Sequence, residues 1–549
     1  MVWCRFEFSG LAGGDNMIIV SINWPISGII YYTIGISQMY GVIQTEKYLL
    51  SVGEITRAVS QGQGIENSNV TVKFNDLDGY FSSKLVSTDQ YIKGRALSVI
   101  DYNEITLIST TLFTGFISEM GFISDGVFTL NADILTSMFD AEINQNVLTS
   151  TEFPSMPVEF LGNKKAFLFG SAARPDLTHI YNPRFGDEWS LVGYYTGASN
   201  RYFLLEYIPL FTVDGLGVWS QVAGVWHNIK LDCTFEVVGN NFFITYAGAF
   251  PPDDGRIYAS GADYGVALNA ADPATMLAAI LLARLGITLD GVAAAKTIFN
   301  SWGWGHDASA ATYVFSDNTT WREFFQRMMD MFDCLIFLEP SGHLAIKACD
   351  YTNKTSLGTI PVDVDDNLEY KLDYTQLTKS VYRQYNYAYV GQYFRNFPND
   401  VTTGKTWGPL GEVRYLDQRY IGGYQSDSLS SAIRYVSRYA NPTIWIDIDV
   451  ARDYYFGSTQ AIALDIGNIV TLNHPLYRLH PSTGRQVMIT KINIKSDGLT
   501  VGIEGYDITD ILDTNGLIRL IHEDANFVAN GGCVLYADTH PSVAHLITL

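Results

Sequence analysis

Strict period-two alternation, cut repeatedly by two-residue turns, limits this chain more than any other feature. Val70, Val72 and Phe74 fall on one side of an extended segment, with Thr71 and Lys73 on the other. Ile444, Ile446, Ile448 and Val450 repeat the pattern late in the chain. Asp125-Gly126 separates the apolar runs 111–123 and 127–134, and Asp497-Gly498 separates 487–494 from 499–503. An Asp-Gly pair between apolar runs is a strong hairpin signal, because both residues accept the positive φ that a tight turn needs. After Phe74, Asn75-Asp76-Leu77-Asp78-Gly79 supplies a turn, then Tyr80 and Phe81 follow. The segments on either side read as partners of the 70–74 strand. The chain is built from antiparallel β-structure.

At 549 residues it exceeds one hydrophobic core; a prior of roughly 150 residues per domain implies three or four. Hydrophobic residues make up 47% and charged ones 17%, which excludes a disordered chain. Helices interrupt the strands in one region. Asp272 and Pro273 open a helix whose stripe is Leu277, Ile280, Leu281 and Leu285, with Arg284 near its end and Gly286 closing it. Thr320 with Glu323 forms a capping box ahead of Phe324, Phe325, Met328, Met329 and Phe332. A hairpin through Pro340-Ser341-Gly342 follows, and a further helix is expected from Ser426 or Asp427. Tyr385, Tyr387 and Tyr389 alternate on one strand face, and residues 464–472 read as a strand pair with a tight corner. The expected fold class is mainly β with an α+β subdomain: two barrel-like β domains plus inserted α+β material. The expected division is 1–150 (first β domain), 151–266 (β-rich insert), 267–360 (α+β), 361–512 (second β domain) and 513–549 (C-terminal extension). The extension lacks a clear period and is expected to dock on a neighbour.

The search for chemistry finds no armed site. The net charge of −22 opposes tight binding to nucleic-acid phosphates. The five cysteines, Cys4, Cys233, Cys334, Cys349 and Cys533, are odd in number and never spaced Cys-x-x-Cys. That argues against a disulfide framework or a zinc or iron–sulfur site and fits a reducing compartment during folding. Residues 16–45 carry no charge, yet Asn23, Pro25, Gly28 and Gln38 interrupt them; buried strands are expected there rather than a membrane span. No signal peptide is visible. Asp76-Leu77-Asp78-Gly79 resembles a calcium-loop fragment but lacks the further oxygen ligands, so it reads as a turn. Asp363-Val364-Asp365-Asp366-Asn367 reads as a solvated linker. His306-Asp307 has no Gly-x-Ser-x-Gly elbow beside it. Gly404-Lys405-Thr406 lacks the first glycine of a phosphate loop, where Asn399 stands, and Trp407-Gly408-Pro409 would break the helix that loop requires. Aromatic runs at 194–207 and 219–226 could stack on sugars, but such residues more often fill β cores. Catalytic, cofactor and metal residues are therefore all expected to be absent.

Taken in order, the elements resemble the baseplate or tail-tip hub proteins of long-tailed bacteriophages. The matching pieces are Val70 to Phe81, Lys93-Gly94-Arg95 before a strand, Leu112 to Ile117 with Thr114-Gly115, and Phe160 to Gly170 beside a proline-rich break. Thr320 to Ile346 and the corner Leu464-Asp465-Ile466-Gly467-Asn468-Ile469-Val470 complete them. The resemblance spans residues 65–510. It implies a homotrimeric, non-enzymatic virion part, assembled in the host cytoplasm. In such a ring, two barrel-like domains per subunit imitate sixfold symmetry. It also implies contact with a distal tail protein or tube ring above and a central fibre, spike or tip protein below. A tape-measure protein would be a possible neighbour, and genomic DNA would pass through the lumen without specific binding. Edge strands pairing between subunits would close the ring. A sugar-binding or sugar-cleaving tail protein and a secretion-system spike hub are the alternatives.

Overall fold

The structure is a computed structural model. It describes residues 16–169, 191–302, 313–360, 369–402, 412–418, 435–439, 443–473 and 484–509, apart from short gaps inside these ranges, and short strands at 519–520, 534–536 and 544–546.

The first β-structure closes on itself. Its strands are β1 (Asn16–Trp24), β2 (Gly28–Ile34), β3 (Glu46–Val52), β5 (Asn69–Asn75), β6 (Ala96–Asn103), β7 (Ser109–Glu119) and β8 (Val127–Asp133). The order is β7-β6-β1-β2-β3-β5-β8, and β8 pairs back onto β7, completing a seven-stranded barrel. All neighbours are antiparallel except β2 and β3. The alternation read from the sequence is the reason: Val70, Val72 and Phe74 are buried while Thr71 and Lys73 face out. The uncharged stretch supplies β1 and β2, and no described helix is long and apolar enough to cross a membrane. Asp125 and Gly126 have φ of 52° and 74°, the two positive values of the tight hairpin turn between Ile123–Ser124 and β8.

Two expectations near residue 75 change. Gly79 is followed by a helix, α1 (Tyr80–Ser87), and β5 pairs with β3 and β8, not with the strand at 96–103. The cause is Asp76, which accepts the Phe81 N–H at 2.6 Å and also takes Ser82, so the first turn is capped. The helix drives Phe81 between Phe74, at 4.9 Å, and Phe128, at 4.8 Å, in the barrel core. The chain then resumes at β6, beside β1.

Between β3 and β5 the chain leaves the barrel. Strand β4 (Ile55–Ser60) pairs antiparallel with a strand more than 400 residues later. That second sheet holds β19 (Thr359–Ile360), β20 (Glu369–Asp373), β21 (Thr443–Ala451), β22 (Ile469–Leu472), β23 (Arg485–Ile494) and β24 (Thr500–Asp507). Its path is β19-β22-β23-β24-β21-β20. β22 and β4 lie end to end along one side of β23: Leu472 faces Arg485, and Ile55 faces Ile494. β23 and β24 pair antiparallel, as the Asp497-Gly498 signal predicts, and Gly498 has φ 65°; Asp497 lies outside the described residues. Leu464 is not in a strand; a 3-10 turn (Ala461–Ala463) and a corner at Gly467 (φ 74°) precede β22. That positive φ is what favours glycine at position 467.

Two more large sheets lie outside the barrel and the second sheet. The insert, β9 (Leu191–Tyr195), β10 (Arg201–Glu206), β11 (Gly217–Val222), β12 (Val225–Asn228), β13 (Cys233–Val238), β14 (Asn241–Tyr246) and β15 (Arg256–Ser260), forms one antiparallel sheet in the order β12-β11-β15-β9-β10-β14-β13. A further sheet joins 412–418, 378–386, 394–402, 519–520, 534–536 and 544–546 in that order, so the C-terminal extension contributes strands. Tyr385 lies in it; Tyr387 and Tyr389 lie outside the described residues.

The helical region matches its caps. α2 (Pro273–Leu285) is capped by Asp272, and Gly286 ends it with φ 68°. α4 (Trp321–Phe332) has the complete Thr320/Glu323 box and buries Phe324, Phe325, Met328, Met329 and Phe332. Burial of each such side chain stabilises by roughly 1.5–3 kcal/mol. Between them lies α3 (Val292–Ser301), which the alanine-rich pattern did not reveal. The hairpin β17 (Cys334–Leu338) and β18 (Leu344–Ala348) carries a parallel partner, β16 (Leu289–Asp290). Of the helix expected from residue 426, only residues 435, 438 and 439 are described, and they are helical.

Ion pairs reinforce the exchange of β4. Arg57, buried on β4, holds Asp465 at 2.7 Å and the Leu464 carbonyl at 3.0 Å. Arg452, just after β21, pairs with buried Asp101 on β6 and donates to the Gly498 carbonyl at 2.8 Å. Removing one partner of a buried pair leaves a desolvated charge, at a cost of about 3–5 kcal/mol. Arg452→Met is therefore expected to lower stability by about that amount in urea unfolding, and Arg452→Met with Asp101→Leu to recover much of the loss.

Candidate functional site

The best-built polar cluster lies where α4, β17, β24 and the helical residues 435, 438 and 439 meet. α4 ends at Asp333, which adopts the left-handed conformation (φ 51°). Asp333 Oδ1 accepts Arg438 Nη1 at 2.5 Å and the Tyr351 hydroxyl at 3.3 Å. Arg438 Nη2 donates to the Tyr506 hydroxyl at 2.5 Å, and the Tyr351 and Tyr506 hydroxyls lie 3.3 Å apart. The guanidinium also sits 5.1 Å from the Tyr506 ring centre and 5.3 Å from that of Tyr439. One turn back on α4, Asp330 accepts Gln326 Nε2 at 3.0 Å. A small cavity is lined by Met329, Asp330, Asp333, Cys334, Tyr435, Arg438 and Tyr439.

Charge decides the chemistry of this cluster. Arg438 pairs with Asp333, and Asp330 lines the same cavity. Burial pushes Asp330 up to about 6, and Asp333 pushes the same way, while Gln326 and Arg438 oppose them. Burial likewise raises the tyrosines and pushes Cys349 up to about 12. Nothing in this arrangement is an activated nucleophile: the thiols are held protonated and the hydroxyls are engaged with one another. Sequence reading missed the cluster. Its members lie up to 176 positions apart, between Asp330 and Tyr506, and share no spacing motif.

The sequence candidates fall elsewhere. Asp76 caps α1, and Asp78 accepts the Tyr80 N–H at 3.1 Å and the Tyr48 hydroxyl at 2.9 Å, so these acids serve the turn. Among the described residues no group of His, Cys, Asp and Glu could hold a metal. His306, Asp307, residues 363–367 and residues 404–409 lie outside the described residues. Among the described aromatics of the insert, Tyr202, Phe203 and Trp219 are buried, and Tyr194 lies 5.4 Å from Phe160. Those side chains fill the insert's core.

No family model and no curated protein matches the chain. Among solved structures, it is similar to a 43 kDa prophage tail protein from Shewanella oneidensis at 9% identity and a TM-score of 0.42, covering 90% of this chain and 100% of that one. A tail protein from Neisseria meningitidis aligns at 9% identity and a TM-score of 0.40, over 90% and 99% of the two chains. A prophage tail protein from Listeria monocytogenes aligns at 7% identity and a TM-score of 0.34, over 89% and 94%. At such identities nine residues in ten differ, and no site transfers.

Two expectations follow from the site geometry. Asp76→Ala is expected to cost about 1–2 kcal/mol of stability through the lost cap, while added calcium leaves the wild-type Tm unchanged. At pH 8 Cys334 and Cys349 of the native protein are expected to resist alkylation and to label only after unfolding, read by peptide mass spectrometry.

Proposed function

We propose that this chain is a non-enzymatic structural hub of a bacteriophage tail tip or baseplate, acting by shape as one third of a ring. In this reading the chain divides as 1–150, 151–266, 267–360, 361–512 and 513–549. The first and fourth segments supply the two β modules facing the central passage. The observation that carries the reading is the pairing, in one chain, of a closed seven-stranded barrel with a second sheet into which the barrel lends β4. Two β modules fastened at fixed spacing are what a threefold ring needs to meet a sixfold tube. The order of sequence motifs from 65 to 510 supports it, and the −22 charge suits a passage along which DNA slides without sticking.

The first barrel has no free edge, so ring closure through edge strands would fall to the second sheet, whose path ends at β20. The barrel supplies apolar ends instead. The β6–β7 turn presents Ile105 (70% exposed) and Leu107 (70% exposed), and Val42, between β2 and β3, is 93% exposed. Asn103 stiffens this turn by accepting the Ile105 and Thr106 N–H groups. Leu107 holds φ 57°, a conformation that a leucine adopts at a cost of about 1–2 kcal/mol. Such exposed apolar residues on a rigid turn suit contact with another protein. The contacts proposed are two further copies of the chain, a distal tail protein or tube ring, and a central fibre, spike or tip protein.

Light scattering on the purified chain tests the assembly. Three times the 61.1 kDa chain mass is expected, and a strict monomer that also ignores tail tube overturns the reading. Ile105→Thr with Leu107→Asn is expected to preserve the fold, because asparagine accepts this backbone, and to weaken association with the trimer or the tube at least tenfold.

A further inference from the structure

The crossover between β2 and β3 carries a small arm with bare apolar side chains. Met39–Tyr40 and Ile43–Gln44 pair antiparallel around Gly41, which has φ 60°, and neither strand has a further partner among the described residues. A two-stranded hairpin by itself is marginal in water; a third strand or a packed face is what stabilises it. One side of the arm is packed, because the Tyr40 ring lies 5.2 Å from that of Tyr31 on β2 and 5.0 Å from that of Tyr102 on β6. The base is clamped, because the Thr45 hydroxyl accepts the Gln38 N–H and donates to the Gln38 carbonyl, both at 2.9 Å. Met39, Val42 and Ile43 nevertheless stay exposed. The arm is a fixed platform whose strand edges are open to a further strand. Residues 16–45 carry no charge, so an apolar strand face is what fits it.

The sequence holds such a strand close by. Residues 2–9 lie outside the described residues, and their sequence alternates strictly. Val2, Cys4, Phe6 and Phe8 fall on one side of an extended chain, and Trp3, Arg5, Glu7 and Ser9 on the other. Asn16, at the start of β1, stands opposite Asn103, and Met17 stands opposite Tyr102, the residue on which Tyr40 rests. Residues 10–15 include Gly10, Gly13 and Gly14, and a flexible linker of that length spans about 12–15 Å. So short a tether gives the segment an effective concentration of about millimolar or more beside the arm. We propose that residues 2–9 add to the arm of their own chain as a third strand, with Val2, Cys4, Phe6 and Phe8 covering Met39, Val42 and Ile43. The contact lies within one chain, covers the arm and not the β6–β7 turn, and does not depend on the ring.

Cys4 makes the contact testable in the full chain. Met39→Cys and Val42→Cys variants are oxidised with diamide, and the disulfides are mapped by peptide mass spectrometry without reduction. Cys4 is expected to couple to position 39 or 42 within one chain. Val86→Cys is the control, since Val86 is also exposed but lies on α1, at the barrel end where Asp89 holds the β1–β2 turn, away from Asn16. The faster of the two arm variants is expected to couple at least about tenfold faster than the control. Equal rates overturn the proposal, and so does a bond that joins two chains on a non-reducing gel. Phe6→Ser with Phe8→Ser gives a second readout. Hydrogen exchange of amides 39–44 is expected to speed up about tenfold or more in that variant, and unchanged exchange overturns the third strand.

Discussion

The exchange of β4 between sheets is the constraint on which the rest of this structure depends. The strand belongs by sequence to the barrel and by hydrogen bonding to the second sheet, where it pairs with β23. Because β3 and β5 on either side of it are locked in the barrel wall, β4 cannot leave β23 without pulling on both. Loop-closure entropy over more than 400 residues must be met before this pairing forms, so local barrel formation is expected to precede it. Once formed, the pairing makes the two β modules one mechanical unit.

Electrostatics then fixes the relative position of these modules. Arg57 and Arg452 cross the junction in opposite directions: one reaches from β4 to the Asp465 corner, the other from the end of β21 to Asp101 on β6. Both end on a carboxylate and a backbone carbonyl, which specifies orientation as well as proximity. Such pairs add little net stability relative to apolar packing, but they penalise every misaligned arrangement, in which a desolvated charge would be left over. The β17–β18 hairpin adds a third contact, where Gly342 (φ 82°) brings the turn against the Thr114 carbonyl of the barrel.

The polar cluster around Arg438 contrasts with these ties. At the junction each cation ends on a carboxylate and a backbone carbonyl, whereas here Arg438 ends on Asp333 and the Tyr506 hydroxyl.

Local pattern was legible without the fold wherever a few neighbouring residues settle the backbone. Period-two alternation placed β5 and β21, Asp-Gly pairs placed two hairpins, and Asp272 and Thr320 with Glu323 placed the starts of α2 and α4. In each case the deciding contacts lie within a few positions along the chain. α1 escaped notice because its cap, Asp76, sits in a stretch that reads equally as a turn; α3 escaped because three successive alanines blur its period. Closure of the barrel through β7 and β8, the lending of β4 to a distant sheet, and the gathering of Asp330, Asp333, Arg438, Tyr351 and Tyr506 were decided only by tertiary structure. No pattern of neighbours specifies which distant strand or charge a residue meets. That choice follows from the whole chain burying its apolar faces at once, and from the requirement that every buried charge then finds a partner.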